Sequence, residues 1–317
     1  VSGIYSGAGE RRRRRVTREK ETDTMAQLYF KYGAMGSSKT ANALMARFNY
    51  EERGQETLLV KPRLDTRDGD HMVYSRIGLK HPCIYFDEMR DMSDSALQGY
   101  ACIIIDEAHH SITDGYRRIL DYFGSAKVLG VTATPDRGDM RNLGEVFDSL
   151  AYEYKLTDAI KDGYLCRIMA QTVPLKLDIS AVGMSSGDYS VGELGTALDP
   201  YLSQIADEMA ARCAGRKTVV FLPLIKTSQK FRDLLNTKGF RAAEVNGQSA
   251  DRRQVLSDFE ADKYNVLCNS MLLTEGWDCP SVDCVVVLRP TKVRSLYSQM
   301  VGRGTRLSPE TGKQNLL

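Results

Sequence analysis

The stretch Cys102-Ile-Ile-Ile-Asp-Glu-Ala-His-His110 decides the fold. Its run of isoleucines predicts a strand that is buried on both faces, as in a parallel sheet. Ligands of open α/β sheets bind at the carboxyl ends of the strands, so Asp106 and Glu107 should emerge at a site. Two adjacent carboxylates can take different roles: one can hold Mg²⁺, and the other can orient or deprotonate a nucleophile. A solvated acidic turn after a core strand is the alternative interpretation.

Composition narrows the class of protein. The 317 residues have the length of two ordinary domains, and a hydrophobic fraction of 42% is enough for real cores. The net charge of +2 is not a global nucleic-acid signature, so nucleic-acid contacts would come from local patches. No run is apolar enough to predict a membrane span, and no secretory signal is recognisable. The seven cysteines form no CxxC pair, which argues against zinc and favours a reducing, cytoplasmic compartment.

Periodicity divides the chain into four parts. Residues 1–24 predict a basic disordered tail, whose five consecutive arginines could grip phosphates, although a solvated tail is favoured. Residues 25–165 alternate strand and helix patterns, which predicts a first α/β domain with a parallel sheet. Residues 166–198 indicate a connector. Residues 199–317 predict a second α/β domain, with Asp199 capping its first helix and Pro200 at the first helical position. The last three residues, 315–317, are typical of the opening of a strand, so we expect a truncated C-terminus.

A phosphate-binding loop is predicted at Gly33-Ala-Met-Gly-Ser-Ser-Lys-Thr40, between a strand pattern and a helix pattern. Backbone N–H groups would cradle the phosphates, Lys39 would reach the β/γ oxygens, and the Thr40 hydroxyl would hold Mg²⁺. The motif asks for glycine at the position of Ser38, where a Cβ could crowd the loop. A Gly/Ser turn without a ligand is the alternative. The predicted nucleotide-binding residues of this loop are Gly33, Gly36, Ser37, Ser38, Lys39 and Thr40.

Two further motifs follow predicted strands. In Val131-Thr-Ala-Thr-Pro135, the hydroxyls of Thr132 and Thr134 can relay hydrogen bonds from a strand tip, although turn capping is the alternative. In the stretch 270–280, Gly276 and Asp278 lie where a loop could meet a ribose or another backbone. The single tryptophan of the chain, Trp277, is predicted to anchor the core.

The stretch Gln299-Met-Val-Gly-Arg-Gly-Thr-Arg306 ends a predicted helix. Arg303 and Arg306 would share one helical face if the helix persists. Arginines presented across a cleft stabilise the charge of a transferring phosphoryl group. The alternative is a helix C-terminus that is neutralised by basic residues.

Taken in order, these motifs resemble those of a superfamily-two helicase of the DEAD/DEAH-box kind. Asp106-Glu-Ala-His109 resembles motif II, Thr132-Ala-Thr134 motif III, the stretch 270–278 motif V and the stretch 299–306 motif VI. The strings VLGVTATP (128–135) and LRPTKVRSLYSQMVGRGTR (288–306) are most similar to the DNA-acting branch related to the translocating subunits of restriction enzymes. The resemblance covers residues from about 99 to 317.

This resemblance implies two RecA-like P-loop NTPase domains with parallel sheets and an ATP cleft between them. It implies ATP and Mg²⁺ as cofactors, and nucleic acid, DNA in particular, as the partner. The residue roles that it implies are phosphate binding by Lys39, metal binding by Thr40 and Asp106, water activation by Glu107, coupling to the strand by His109, Thr132 and Thr134, nucleotide contact by Gly276 and Asp278, catalysis by Gln299, Arg303 and Arg306, and nucleic-acid contact by Ser270 and Arg252.

Residues 25 to about 92 instead resemble the N-terminal half of a bacterial thymidine kinase. The stretches AQLYFKYGAMGSSKT (26–40), NYEERG (49–54), LLVKP (58–62) and DTR (65–67) match in order, and Ser38 fits a variant of the kinase loop. This resemblance implies a thymidine kinase-like phosphotransferase, although the paired CxxC site of that family is missing. A third hypothesis is an inactive hybrid of a kinase N-terminal half and a helicase C-terminal part, joined near residues 95–100.

Overall fold

The computed structural model describes residues 28–33, 38–63, 71–75, 77–106, 108, 126–132, 147, 149–173, 175–185, 187–270, 272–274 and 277–317. The predicted tail, 1–24, lies outside this part of the chain. The strands are β1 (Leu28–Gly33), β2 (Thr57–Lys61), β3 (Met72–Tyr74), β4 (Lys80–Pro82), β5 (Ile84–Tyr85), β6 (Cys102–Asp106), β7 (Lys127–Thr132), β8 (Ser149–Tyr154), β9 (Arg167–Ile168), β10 (Met184–Ser185), β11 (Asp188–Tyr189), β12 (Thr218–Phe221), β13 (Ala242–Val245), β14 (Val266–Asn269), β15 (Cys284–Val287) and β16 (Asn315–Leu316).

The helices of the described residues are α1 (Lys39–Glu51), α2 (Asp94–Leu97), α3 (Leu156–Lys161), α4 (Val191–Leu198), α5 (Leu202–Arg212), α6 (Ile225–Thr237), α7 (Arg252–Glu260) and α8 (Arg294–Gly302). Short 3₁₀ turns lie at Glu88–Asp91, Asp199–Tyr201, Leu272–Thr274 and Pro309–Thr311. Among these helices, none is long and apolar enough to cross a membrane.

The first sheet has six strands in the order β5-β2-β6-β7-β1-β8, and every neighbouring pair is parallel. Strand β6 is buried along its whole length, as its apolar run predicted. Ile103 and Ile105 pack into a core on one face, whereas Cys102 and Ile104 pack into a core on the other. Full burial of an aliphatic side chain contributes about 1.5–3 kcal/mol. The three buried isoleucines of β6 therefore hold Asp106, at the carboxyl end of the strand, firmly in place.

The second sheet has four parallel strands in the order β13-β14-β12-β15. Its alternate residues also face two cores, as at Val219 and Val220. Backbone hydrogen bonds continue the sheet, because the N–H of Val285 donates to the carbonyl of Leu317 over 2.9 Å and β16 pairs in parallel with β9. The strand predicted at 315–317 is therefore confirmed as β16.

The predicted connector contains more regular structure than its composition indicated. Helix α4 lies inside it; Leu194 and Leu198 of this helix are buried, and Leu198 packs into the core of the second domain. Asp199 has helical angles, φ −52° and ψ −43°, and starts a 3₁₀ turn that joins α4 to α5. The prediction that Asp199 caps the first helix of the domain was therefore wrong. Burial of the leucines of α4 outweighs the low helix propensity of its glycines.

Candidate nucleotide and nucleic-acid site

The carboxyl ends of β1 and β6 lie on either side of β7 at one edge of the first sheet. Register places Thr132 beside Tyr32 at the end of β1, and Val131 beside Asp106 at the end of β6. Both Thr132 and Asp106 are buried. The strand ends that carry three of the sequence motifs therefore meet, which is the arrangement expected of a ligand-binding edge.

A hydrogen bond joins the phosphate-loop motif to the acidic motif. The Thr40 hydroxyl donates to Asp106 Oδ2 over 3.1 Å, although the two residues are 66 positions apart in sequence. Asp106 is only 3% exposed. A hydroxyl and a carboxylate that share a small volume are hard oxygen donors, the kind that Mg²⁺ prefers. The fold thus brings together the two residues that were predicted to hold a metal.

Helix α1 presents its N-terminus at the same edge. It starts at Lys39, and within the described residues its first turn holds no acidic side chain and its cap makes no side-chain hydrogen bond. Backbone N–H groups at such a helix end attract phosphate, both by direct donation and through the helix dipole. Lys39 and Thr40 are partly buried there.

Ser38 precedes α1 in the left-handed region, with φ +55° and ψ +32°. Non-glycine residues pay about 1–2 kcal/mol for this conformation because their Cβ crowds the following carbonyl oxygen. The sequence motif asks for glycine at this position, and the backbone angles give the physical reason. The departure that was noted from sequence is therefore a position of local backbone strain.

Several predicted residues lie outside the described part of the chain. They are Gly36 and Ser37 of the phosphate loop, Glu107 and His109 of the acidic motif, Thr134 and Gly276. Gly33 ends β1 at the ligand-binding edge. The roles of all seven residues stay predictions from sequence.

In the second domain, the carboxyl ends of β12 and β14 are tied together. The Asn269 side chain donates to the Val220 carbonyl over 3.0 Å and accepts the N–H of Leu273 over 3.2 Å. The Ser270 hydroxyl donates to the Pro223 carbonyl over 3.2 Å. These contacts fix the start of the motif V stretch against the segment after β12.

The two predicted catalytic arginines follow α8 and do not lie on it. The helix ends at Gly302, so the shared helical face that was predicted conditionally does not form. Arg303 is 5% exposed, and its guanidinium donates to the carbonyls of Thr274 and Trp277. Arg306 is 6% exposed and lies beside Asp278, with 3.3 Å between Nε and Oδ1. Motif VI is thus packed directly on motif V.

Two further predicted residues and the predicted core anchor lie in this domain. Gln299 is buried on α8, and Arg252 is the partly exposed first residue of α7. Trp277 is buried, with its ring centroid 5.9 Å from that of Phe259, which confirms the predicted core anchor.

Sequence reasoning missed a buried arginine that lies just after β15. Arg289 is 7% exposed, lies 3.7 Å from Asp188 of the β10–β11 hairpin, and has its pKa lowered by burial. Asp188 also accepts the Thr291 hydroxyl over 2.8 Å and the Lys292 N–H over 2.9 Å. The connector is therefore fastened to the segment before α8. No local pattern marked Asp188, because its partners lie about a hundred residues away.

Two family models match the chain. Residues 20–137 match the type III restriction enzyme, res subunit, and residues 201–308 match the helicase conserved C-terminal domain. Among curated proteins, the chain is 32% identical over 220 residues to a protein named as the ATP-dependent helicase IRC3 of Saccharomyces cerevisiae. That match covers 65% of this chain and 32% of the relative, so the chain spans about a third of the length of this relative.

Bacterial thymidine kinases also match. The chain is 42% identical over 173 residues to the thymidine kinase of Novosphingobium aromaticivorans, which covers 51% of this chain and 87% of the kinase. The thymidine kinase of Lactococcus lactis is 37% identical over 144 residues, with 44% and 73% covered. Both alignments are longer than the segment 25–92, so the similarity continues beyond the boundary predicted from sequence.

Solved structures share the fold. A fragment assigned as an HsdR subunit of a type I restriction enzyme from Vibrio vulnificus has a TM-score of 0.67 at 25% identity, covering 93% of this chain and 59% of that chain. The helicase domain of Pyrococcus furiosus Hef has a TM-score of 0.50 at 15% identity, covering 90% and 91%. These likenesses confirm the predicted architecture of two RecA-like domains.

Proposed function

Since the chain belongs to the superfamily-two helicases of the restriction-related branch, and shares a region of sequence with bacterial thymidine kinases, we propose that it is an ATP-dependent nucleic-acid helicase or translocase. The observation that carries the ATPase is the hydrogen bond between Thr40 and Asp106. It joins the helix that follows the phosphate loop to the buried end of the acidic strand. Those two elements bind nucleotide phosphates and metal in P-loop NTPases.

Each part of the site has a defined task. The first-turn N–H groups of α1 and the Lys39 ammonium bind the phosphates. Thr40 and Asp106 would hold Mg²⁺, which neutralises phosphate charge when bound. Glu107 orients the attacking water and takes up its proton. Arg306 supplies positive charge for the transferring phosphoryl group, and Arg303 holds the motif V loop through the carbonyls of Thr274 and Trp277. Gln299 is a further catalytic group, and Asp278 contacts the nucleotide.

Nucleic acid is the second substrate. The motif V and motif VI stretches belong to a second domain that has its own four-stranded parallel sheet, and a phosphotransferase with one sheet does not require such a domain. Ser270 and Arg252 meet the backbone of the strand, and His109, Thr132 and Thr134 relay its presence to the nucleotide. We infer DNA because the strings 128–135 and 288–306 are most similar to the restriction-related branch. We also infer a reducing compartment, the cytoplasm, because the seven cysteines are free and buried.

The test is ATP hydrolysis by the purified chain, measured alone and with single-stranded DNA, double-stranded DNA, RNA and thymidine. We expect turnover to rise with DNA and to disappear in Asp106→Asn and Lys39→Ala. Lys230→Ala serves as the matched control, because Lys230 is an exposed lysine of α6 that pairs with Asp199. Turnover that is indifferent to every nucleic acid would contradict the helicase proposal.

A thymidine kinase-like phosphotransferase is the second candidate, favoured by the alignment that covers 87% of a thymidine kinase at 42% identity. If the chain is such a kinase, the reaction with thymidine should yield phosphorylated thymidine, and ATP turnover should not change when DNA is added. Absence of ATP turnover under all of these conditions would support the third hypothesis, in which the chain is an inactive hybrid.

A further inference from the structure

Lys313 lies just after the site and makes an unusual set of contacts. Its ammonium donates to the carbonyls of Gly304 over 2.7 Å, of Pro280 over 3.1 Å and of Val282. A lysine ammonium has three N–H donors, so these contacts use all of them. The residue follows the 3₁₀ turn Pro309–Thr311 and Gly312, and sequence reasoning gave it no role.

The three carbonyls belong to two segments that carry the charged groups of the site. Pro280 and Val282 closely follow the motif V stretch, which ends at Asp278. Gly304 lies between Arg303 and Arg306. Lys313 therefore bridges the segment that carries Asp278 to the turn that carries Arg306, the two partners of the 3.3 Å contact.

The Gly304 turn is also held from its other sides. A Cβ at Gly304 would lie 2.2 Å from Leu316 Cδ1 and 2.9 Å from Val285 Cγ2, so β16 and β15 approach its backbone closely. The Cys166 thiol donates to the same Gly304 carbonyl over 3.5 Å. With apolar groups packed against the turn, the only cation in contact with the Gly304 carbonyl, among the hydrogen bonds of the described residues, is Lys313.

We propose that Lys313 is a positioning residue, which sets the place of Arg306 against Asp278 by binding the Gly304 turn to the segment 280–282. This inference rests on the proposed function, because the site that it positions is the predicted ATPase site. Without the ammonium, the carbonyls of the buried residues Gly304 and Val282 lose a charged donor, and the two segments are free to separate.

The first test needs no nucleotide. Trp277 is the single tryptophan of the chain and is the carbonyl partner of Arg303, so its fluorescence reports on this loop. We expect Lys313→Met to shift Trp277 emission to longer wavelength, and Lys313→Arg, which keeps the charge and the donors, to restore it. Lys263→Met is the control, because Lys263 pairs with Asp258 on the surface. Unchanged emission in a folded Lys313→Met protein would overturn the proposal.

The second test uses turnover. We expect Lys313→Met to lower kcat for ATP about tenfold, with KM changed less than about twofold, because misplaced catalytic groups cost rate and not ground-state binding. In an Arg306→Ala background, Lys313→Met should cause no further loss, since both changes act through the same group. Fully additive losses would show that Lys313 does not act through Arg306.

The two proposals fail in different ways. If the wild-type chain hydrolyses no ATP, the proposed function is wrong, and the fluorescence of Trp277 still decides whether Lys313 positions the loop. If Lys313→Met does not fold, Lys313→Gln supplies the uncharged variant, and far-ultraviolet circular dichroism verifies that it is folded before either measurement is read.

Discussion

Arg306 and Asp278 stand 3.3 Å apart, one at the end of the motif VI stretch and the other at the end of the motif V stretch. Arg306 is almost wholly buried, whereas about a third of the Asp278 side chain is exposed. The pair therefore places a guanidinium inside the domain with its countercharge partly exposed at the surface.

Asp278→Asn should lower the free energy of unfolding by roughly 1–3 kcal/mol, because it leaves a buried cation without its partner. Urea denaturation measures this change. The double variant Asp278→Asn with Arg306→Met should lose less than the sum of the two single variants, since the pair is lost as a unit. Strict additivity would mean that the contact contributes nothing to stability.

Thr40→Val should reduce ATP hydrolysis at least about a hundredfold, because it removes a hydroxyl beside the buried Asp106 without changing the shape of the side chain. Thr40→Ser keeps the hydroxyl and should stay close to wild type. A titration of Mg²⁺ at fixed ATP should show that Thr40→Val needs more Mg²⁺ for half-maximal turnover. An identical Mg²⁺ requirement in both variants would argue against a metal-binding role for Thr40.

Ser38→Gly should stabilise the protein by up to about 1 kcal/mol, because glycine adopts the left-handed backbone without strain. The greater freedom of glycine in the unfolded chain offsets part of this gain. Ser38→Ala keeps the Cβ and should give no gain. Thermal unfolding of the three proteins tests this order. A Ser38→Gly protein that melts below both others would show that the strain at this position is compensated by contacts of the serine.

The cysteines should react slowly with a disulfide reagent in the folded protein at pH 8. All seven are buried, which keeps the reagent from them, and burial raises the pKa of Cys102 to about 11, so little Cys102 thiolate is present. In denaturant, all seven should react promptly. Thiol counting with and without denaturant makes the comparison, and rapid native labelling of several cysteines would contradict the burial described above.

Gly304→Ala should destabilise the second domain by about 1–3 kcal/mol, because the added methyl group would overlap Leu316 and Val285. Gly247→Ala is a suitable control, since a Cβ there meets nothing within 4 Å. Differential scanning calorimetry of both variants would separate the two effects. Equal midpoints would show that β16 can move aside at little cost.

Sequence reasoning predicted a buried strand at the apolar run from Cys102 and a helix after the phosphate-loop motif, because apolar runs and helical periodicity are local properties. The structure confirms both, as strand β6 (Cys102–Asp106) and helix α1 (Lys39–Glu51). The same reasoning assigned Thr40 and Asp106 to one site, because the carboxyl ends of parallel strands lie at the same edge of the sheet. It could not predict the 3.1 Å hydrogen bond between them.

Contacts between distant segments were beyond the reach of sequence. Nothing local marks Lys313 as a donor to Gly304, or Asp188 as the partner of Arg289, because each pair depends on how whole elements pack. Helix α4 was missed for the same reason, since its glycines favour a loop and only the buried leucines explain why it is helical. At Ser38 the sequence showed the departure from glycine and predicted crowding of the loop by the Cβ, but the left-handed backbone is visible only in the structure.

The pairing of β9 with β16 bears on how the second domain could be produced by itself. The backbone of Cys166 donates to the Thr305 carbonyl, and Met169 donates to Leu316, so residues 165–169 cover the edge beside both arginines. A fragment that began at residue 199 would lack this strand and would leave the open edge of β16 free to pair with another molecule. A fragment that begins near residue 155 keeps the strand and its hydrogen bonds, and should remain monomeric where the shorter one aggregates.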